Sequence, residues 1–288
     1  MHLLWVIEER LALLHVVNKF IANSLPTSGL LEEKISFGEH PHQFVHLCIP
    51  DEPAKVKRSA VFFLHGGGWN TGNPTLFRFV GHFFARKGYP TLLGGYRLAP
   101  GFHFPAQLED VRLGLECGIR ALSSKNFPID RVIVGGHSAG AHLASLLVYD
   151  RDSAPRETVD SKPIGGLIAI SGPLNFSYCT NPSLQKMITN LLGEGASSDP
   201  ADPIRFITGN ERVPALFMHG LRDPLVDVQN SVSFAAALSE SRTCPVEVHL
   251  IGHGHHADLL AMFLQNTRAT QALTAWLGQR DKSSDRIG

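Results

Sequence analysis

From Val132 to Leu143 the chain reads Val-Ile-Val-Gly-Gly-His-Ser-Ala-Gly-Ala-His-Leu: an apolar strand, a sharp turn and the start of a helix in direct succession. Few folds accommodate such a join. A continuous Val/Ile run suits a strand buried on both faces of a parallel sheet, and a helix that follows without a loop has to double back over that sheet. The turn itself is Gly136-x-Ser138-x-Gly140. A serine placed there sits on a strained elbow, with its Oγ held out above the sheet. The flanking glycines are expected because a Cβ at either position would strike the neighbouring strand or helix. The free N–H groups at the new helix's start favour negative charge near Ser138. With 27 glycines and 21 serines in 288 residues, the five-residue pattern arises by chance about 0.2 times per chain. On the pattern alone, Ser138 is equally a residue that caps a helix. The strand before it and the small residues after it (Ala139, Ala141, Ala144, Ser145) favour the elbow.

The rest of the chain alternates in the same manner. Strands are expected at Ser36–Gly38 and Phe44–Ile49, then at Ala60–Leu64, Pro90–Leu93, Arg131–Val134, Gly166–Ile170, Ala215–Met218 and Val246–Ile251. Between them helices are expected at Leu76–Lys87, Ala106–Leu122, Ser138–Tyr149, Val228–Ser239 and Asp258–Leu277, with an irregular stretch after Ile170. Strand–helix alternation of this kind predicts an α/β chain: a doubly wound, mostly parallel sheet with helices on both faces. Residues 31–279 are expected to form this one domain, and 280–288 a frayed tail.

Residues 1–30 are set apart. Leu4, Ile7, Leu11, Leu14 and Ile21 follow helical spacing over residues 3–24, and Leu25-Pro26-Thr27-Ser28-Gly29 ends the pattern. Such a helix either packs on the core or serves as a lid over a site, and both readings stand. The early apolar runs lack a basic leader and are broken by Glu8-Glu9-Arg10 and His15, short of the ~18 residues a membrane span needs. A soluble, cytoplasmic protein is expected. Twenty-six basic against 26 acidic residues give no net charge, which argues against nucleic-acid or anionic-membrane partners. Cys48, Cys117, Cys179 and Cys244 are widely spaced and read as free thiols. Fifteen histidines are more than usual, but no H-E-x-x-H pattern accompanies them, so neither a metal nor a cofactor is expected.

The strand ending at Leu64 runs into His65-Gly66-Gly67-Gly68-Trp69. Three glycines in a row would weaken any regular element, so their use is to bring backbone N–H groups close to a ligand. Acyl transfer needs such groups. The carbonyl oxygen becomes negative in the tetrahedral intermediate, and each preorganised amide stabilises it by ~3–4 kcal/mol. The N–H groups of Gly67, Gly68 and Ala139 are assigned to this oxyanion hole. A nucleophilic serine also needs a base, and the base an orienting acid. Both must come from loops at the carboxyl ends of later strands. His219-Gly220-Leu221-Arg222-Asp223 places Asp223 there, whereas Asp227 falls where a helix begins and reads as its cap. Gly252-His253-Gly254-His255-His256 follows the last strand, and one of its histidines is the base.

His65-Gly66-Gly67-Gly68-Trp69, Tyr96-Arg97-Leu98-Ala99-Pro100, Phe104-Pro105-Ala106 with Asp110, and Gly136-His137-Ser138-Ala139-Gly140 together resemble the hormone-sensitive-lipase-like esterases. Within that family the branch holding carboxylesterases, carbohydrate-acetyl and feruloyl esterases and kynurenine formamidases is the most similar, and the likeness runs from about residue 35 to 278. The resemblance implies the α/β-hydrolase fold and a Ser-Asp-His chain order, with Tyr96, Arg97 and Asp110 structural. It also selects His256: similar esterases carry the catalytic histidine two residues before an acid and an apolar pair, here Asp258-Leu259-Leu260. The chain departs from the family pattern at Gly95 and Gly101, where acidic residues often flank Y-R-L-A-P, and at Asn175, where an aspartate is common. The expected activity is hydrolysis of a small carboxylic ester by Ser138, His256 and Asp223. Cleavage of an aryl formamide is the second enzymatic reading, and a non-catalytic binding module on the same fold the third. Trp69, Phe102, Phe176, Tyr178, Leu225 and His255 are the expected substrate contacts, and a homodimer is compatible with the sequence.

Overall fold

A computed structural model describes residues 29–52, 56–150 and 163–282. The helix expected over residues 3–24, with the lid reading attached to it, lies outside them. Among the described residues eight strands form one sheet in the order β1-β2-β4-β3-β5-β6-β7-β8. They are β1 (Leu30–Ser36), β2 (Phe44–Pro50), β3 (Ser59–Leu64), β4 (Thr91–Gly94), β5 (Arg131–His137), β6 (Ile164–Ile170), β7 (Ala215–Gly220) and β8 (Val246–Ile251). β1 and β2 form an antiparallel hairpin, β2 is antiparallel to β4, and the strands from β4 to β8 run parallel.

Alternate side chains of the central strands enter two cores. Phe62 and Leu64, Val132 and Val134, and Ala215 and Phe217 face one side. Val61 and Phe63, Ile133, and Leu216 and Met218 face the other. The first core is covered by α2 (Ala106–Ser124), α3 (Ala139–Tyr149) and α5 (Gln229–Ser239). The second is covered by α1 (Arg78–Ala85) and α6 (Arg268–Lys282). Each central strand is therefore apolar on both faces, which is why these runs show no polar alternation.

The order β4-β3-β5 sets the position of the site. The connection from β3 leads through α1 to β4 on one side, and the return through α2 places β5 on the other. Right-handed crossovers in opposite directions put α1 and α3 on opposite faces. The chain leaving β3 and the chain leaving β5 thus separate above the carboxyl edge and open a crevice at the switch point.

Three elements differ from the sequence reading. The first strand is Leu30–Ser36 rather than Ser36–Gly38, because its ladder to β2 runs back to the Leu30–Pro50 pair. The irregular stretch after β6 contains a helix, α4 (Pro182–Leu192), started by the Asn181 side chain accepting from the N–H groups of Ser183 and Leu184. The expected last helix divides into a 3-10 segment, Asp258–Phe263, and α6. Thr267 Oγ1 caps α6 by accepting from Thr270 N–H at 3.1 Å, and the helix continues to Lys282, past the expected start of a frayed tail at residue 280.

On β1, Glu32 takes Arg78 Nε and Nη2 together with the imidazoles of His46 and His82, so its carboxylate fastens the hairpin to α1. Burial raises its proton affinity, but the Arg78, His46 and His82 hydrogen bonds outweigh this and bring the carboxyl down to about 2. A lowered folded-state value means that the unfolded chain binds the proton first as pH falls. Glu32→Gln should therefore cost about 2 kcal/mol at pH 7. The gap to wild type should narrow as pH drops from about 4.5 towards 2, measured by urea unfolding. A gap independent of pH would contradict this role.

Candidate active site

Ser138 stands between β5 and α3 at φ 55° and ψ −121°, a conformation that a non-glycine residue adopts only where its surroundings impose it. Its N–H donates to Ile170 O at 2.8 Å, and its carbonyl accepts from His142 N–H at 3.1 Å. The two flanking glycines are needed for the reason expected. A Cβ on Gly136 would lie 2.3 Å from the Gly140 carbonyl carbon, and one on Gly140 would lie 2.1 Å from Leu64 O. The first turn of α3 is pressed directly onto the end of β3.

The loops after β7 and β8 meet above this elbow. His256 Nε2 lies 2.8 Å from Ser138 Oγ, and its Nδ1 lies 2.7 Å from Asp223 Oδ2. The Asp223 side chain is fully buried; its Oδ1 accepts from the N–H groups of Leu225 and Val226. Its Oδ2 receives a second imidazole, His219 Nε2 at 3.3 Å. Burial alone would raise its proton affinity, but the two imidazoles reverse this and hold the carboxyl far below the usual carboxylate range. An ionised Asp223 only accepts, so His256 Nδ1 carries the hydrogen and Nε2 is left to accept from the Ser138 hydroxyl. Asp227 instead accepts from Gln229 N–H at the start of α5. His253 is exposed, and His255 is half-exposed beside Asp258.

The glycine loop is held from beneath. Gly67 and Gly68 sit at φ 128° and 57°, and a Cβ on either would strike Thr71 O or the Met187 sulfur. Tyr96 stacks on His65 with centroids 4.3 Å apart and donates its hydroxyl to His65 O. Arg97 donates through its N–H and Nε to Asp110 Oδ2, and Gln43 donates to Oδ1. These contacts give Tyr96, Arg97 and Asp110 the supporting role that the resemblance implied.

Of the remaining substrate contacts expected from sequence, Trp69 is corrected. Trp69 is fully buried, with its indole on His142, so it is no open wall of a pocket. Phe176 stacks on the face of the His142 ring. Phe102 packs between Arg97 and His40. Leu225 adjoins Asp223, and Tyr178 is exposed. Sequence reasoning missed Met187 of α4 over Gly68, and Asn181, whose side chain donates to Pro224 O beside the acid. It also missed His219 and His137, the latter meeting His256 O at 2.9 Å. The helix-start signal of Asn181-Pro182 was available for α4.

The family model described as BD-FAE matches residues 47–238, more than half of the chain. Among curated proteins, arylacetamide deacetylase of Bos taurus is 30% identical over 129 residues, 42% of this chain and 32% of its own length. Esterase LipQ of Mycobacterium tuberculosis is 24% identical over 242 residues, 80% of this chain and 57% of its own. The chain thus spans less than two thirds of either relative. Among solved structures, Esterase B from Lactobacillus rhamnosis superposes with a TM-score of 0.77 at 19% identity, covering 98% of both chains.

Burial brings His65 and His142 down to about 4 and His137 to about 3. The unfolded chain protonates all three near the ordinary value of about 6.5. Their lowered values stabilise the fold fully above that pH, and this is lost as pH falls through the window from about 6.5 to the folded values. Stability to urea should decline steadily from pH 7 to pH 4, by a few kcal/mol in all. A level profile over that range would contradict the neutral, buried assignment.

Proposed function

Starting from a chain that belongs to the BD-FAE family, we propose a serine hydrolase of the carboxylesterase type, acting on small carboxylic esters through an acyl-enzyme. The observation that carries the reading is the run of contacts from Asp223 through His256 to Ser138 Oγ, at 2.7 and 2.8 Å, on a backbone elbow. In the proposed cycle Ser138 Oγ attacks the ester carbonyl as its proton passes to His256 Nε2. Asp223 holds the ring's tautomer and stabilises the imidazolium that forms. The carbonyl oxygen gains its negative charge facing the N–H groups of Gly67, Gly68 and Ala139. Collapse breaks the ester C–O bond, and the alcohol leaves with the proton from His256. Water repeats the sequence against the acyl-serine, with His256 first taking and then returning a proton, and releases the acid. Every step uses side chains and backbone amides of this chain.

Named esterases among the relatives support the ester reading. The arylacetamide deacetylases among them favour an aryl amide as the second substrate class. An amide has the poorer leaving group, so the same groups would cleave it more slowly unless the amine is activated. A binding module without catalysis would need no aligned acid, base and hydroxyl. Among the described residues no helix is long and apolar enough to cross a membrane.

Ser138→Ala should lower kcat by about 10⁵–10⁶. His256→Ala should lower it by ~10⁴ or more, while His253→Ala and His255→Ala stay within about tenfold. The substrates for this test are p-nitrophenyl esters from acetate to palmitate, beside p-nitroacetanilide and N-formylkynurenine. Highest kcat/KM on a short ester supports the main reading; highest on an amide moves it to the second. An active Ser138→Ala overturns both.

A further inference from the structure

We infer that Trp69 and His142 are a positioning pair, whose hydrogen bond of 3.2 Å sets the register of the Gly67–Gly68 amides against Ser138. The inference rests on those amides and that of Ala139 being the oxyanion donors.

The bond's direction is fixed at both ends. An indole N–H can only donate, so His142 Nδ1 accepts. A backbone carbonyl can only accept, so His142 Nε2 carries the hydrogen and donates to Ala201 O at 2.6 Å. Both rings have no exposed surface. One neutral tautomer therefore satisfies the whole chain, Trp69 to His142 to Ala201. Burial lowers the proton affinity of this ring to about 4, so the arrangement persists wherever a histidine base is neutral.

The bond joins the two segments whose amides must converge. Trp69 directly follows Gly68 and is itself at φ 60°, a value a bulky residue holds only where neighbours over-determine it. Its carbonyl accepts from Ala99 N–H at 2.9 Å, and its indole makes a side-chain hydrogen bond from the loop to α3. His142 lies one helical turn beyond Ser138 and donates its backbone N–H to the serine's carbonyl. Phe176 stacks on the imidazole at 8° and 5.4 Å, and its own N–H donates to Asp202, next to Ala201. An apolar pair of the same volume would fill this space without desolvating two polar groups. What the polar pair adds is a fixed distance between loop and helix. Displacing a reacting or stabilising group by about 1 Å can cost a hundredfold in rate.

The test measures kcat and KM for p-nitrophenyl butyrate, and inhibition by phenylboronic acid, which forms a tetrahedral serine adduct, in the full-length protein. Trp69→Phe keeps an aromatic ring and removes the N–H. It should lower kcat by about 10–100-fold, leave KM within about threefold, and weaken the boronate by the same factor as kcat. His142→Asn retains an acceptor at the place of Nδ1 and should keep more activity than His142→Leu. Trp69→Phe added to His142→Leu should cost little more than His142→Leu alone, because both remove one bond.

Wild-type kcat in a folded Trp69→Phe, or multiplicative effects in the double variant, overturns the inference. If Trp69→Phe fails to fold, equal activity of His142→Asn and His142→Leu overturns it. Loss of activity in Ser138→Ala with none in Trp69→Phe removes this inference alone; full activity in Ser138→Ala removes the hydrolase reading with it.

Discussion

The site depends on one close approach of two backbones. Where β3 ends, Leu64 O lies 2.1 Å from the place a Cβ would occupy on Gly140, and only glycine fits. That approach brings the His65–Trp69 loop beside Ser138 and forces the serine through its positive-φ turn. The sheet order makes it available, since β3 and β5 are neighbours whose following helices leave on opposite faces. Loops from β7 and β8, farther along the same edge, then need only reach inward to deliver an acid and an imidazole.

Much of this was legible before any coordinates, because the signals are local. Val132–Val134 is apolar without alternation because it is buried on both faces, and Gly136 and Gly140 mark contacts that exclude a Cβ. Chain order and loop position point to Asp223 over Asp227, and in the structure Asp223 meets His256 while Asp227 serves the start of α5. Among the three neighbouring histidines, choosing His256 required the resemblance, because register at a strand's end is uncertain by ~2–4 residues. What the sequence hid was tertiary. Trp69 beside a glycine loop looks like a pocket wall, and nothing local shows that its indole turns inward to His142, 73 residues away. α4 was missed although Leu184, Met187, Ile188, Leu191 and Leu192 recur at helical spacing and Asn181-Pro182 is a recognisable helix start; the helix is short and buries only Leu184 and Leu191.

Several of the described histidines serve in hydrogen bonding. His65 stacks under Tyr96 and supports the glycine loop. His137 meets the backbone of His256, His142 receives Trp69, and His219 shares Asp223 with His256. An imidazole can donate from one nitrogen and accept at the other while remaining neutral. That is the use made of His142 and His219, each bonded at both ring nitrogens. Among the described residues, His256 is the histidine hydrogen-bonded to the Ser138 hydroxyl, and the proposed proton transfer falls to it.

The central claim is that Ser138 forms a covalent bond to the substrate's acyl carbon. The direct measurement is peptide mass spectrometry after treatment with a fluorophosphonate, which reacts only with an activated serine. The account predicts one adduct, on the peptide containing Ser138, formed at a rate that collapses in His256→Ala while the protein remains folded. An adduct on another serine, or labelling of Ser138 at the same rate without His256, would contradict it.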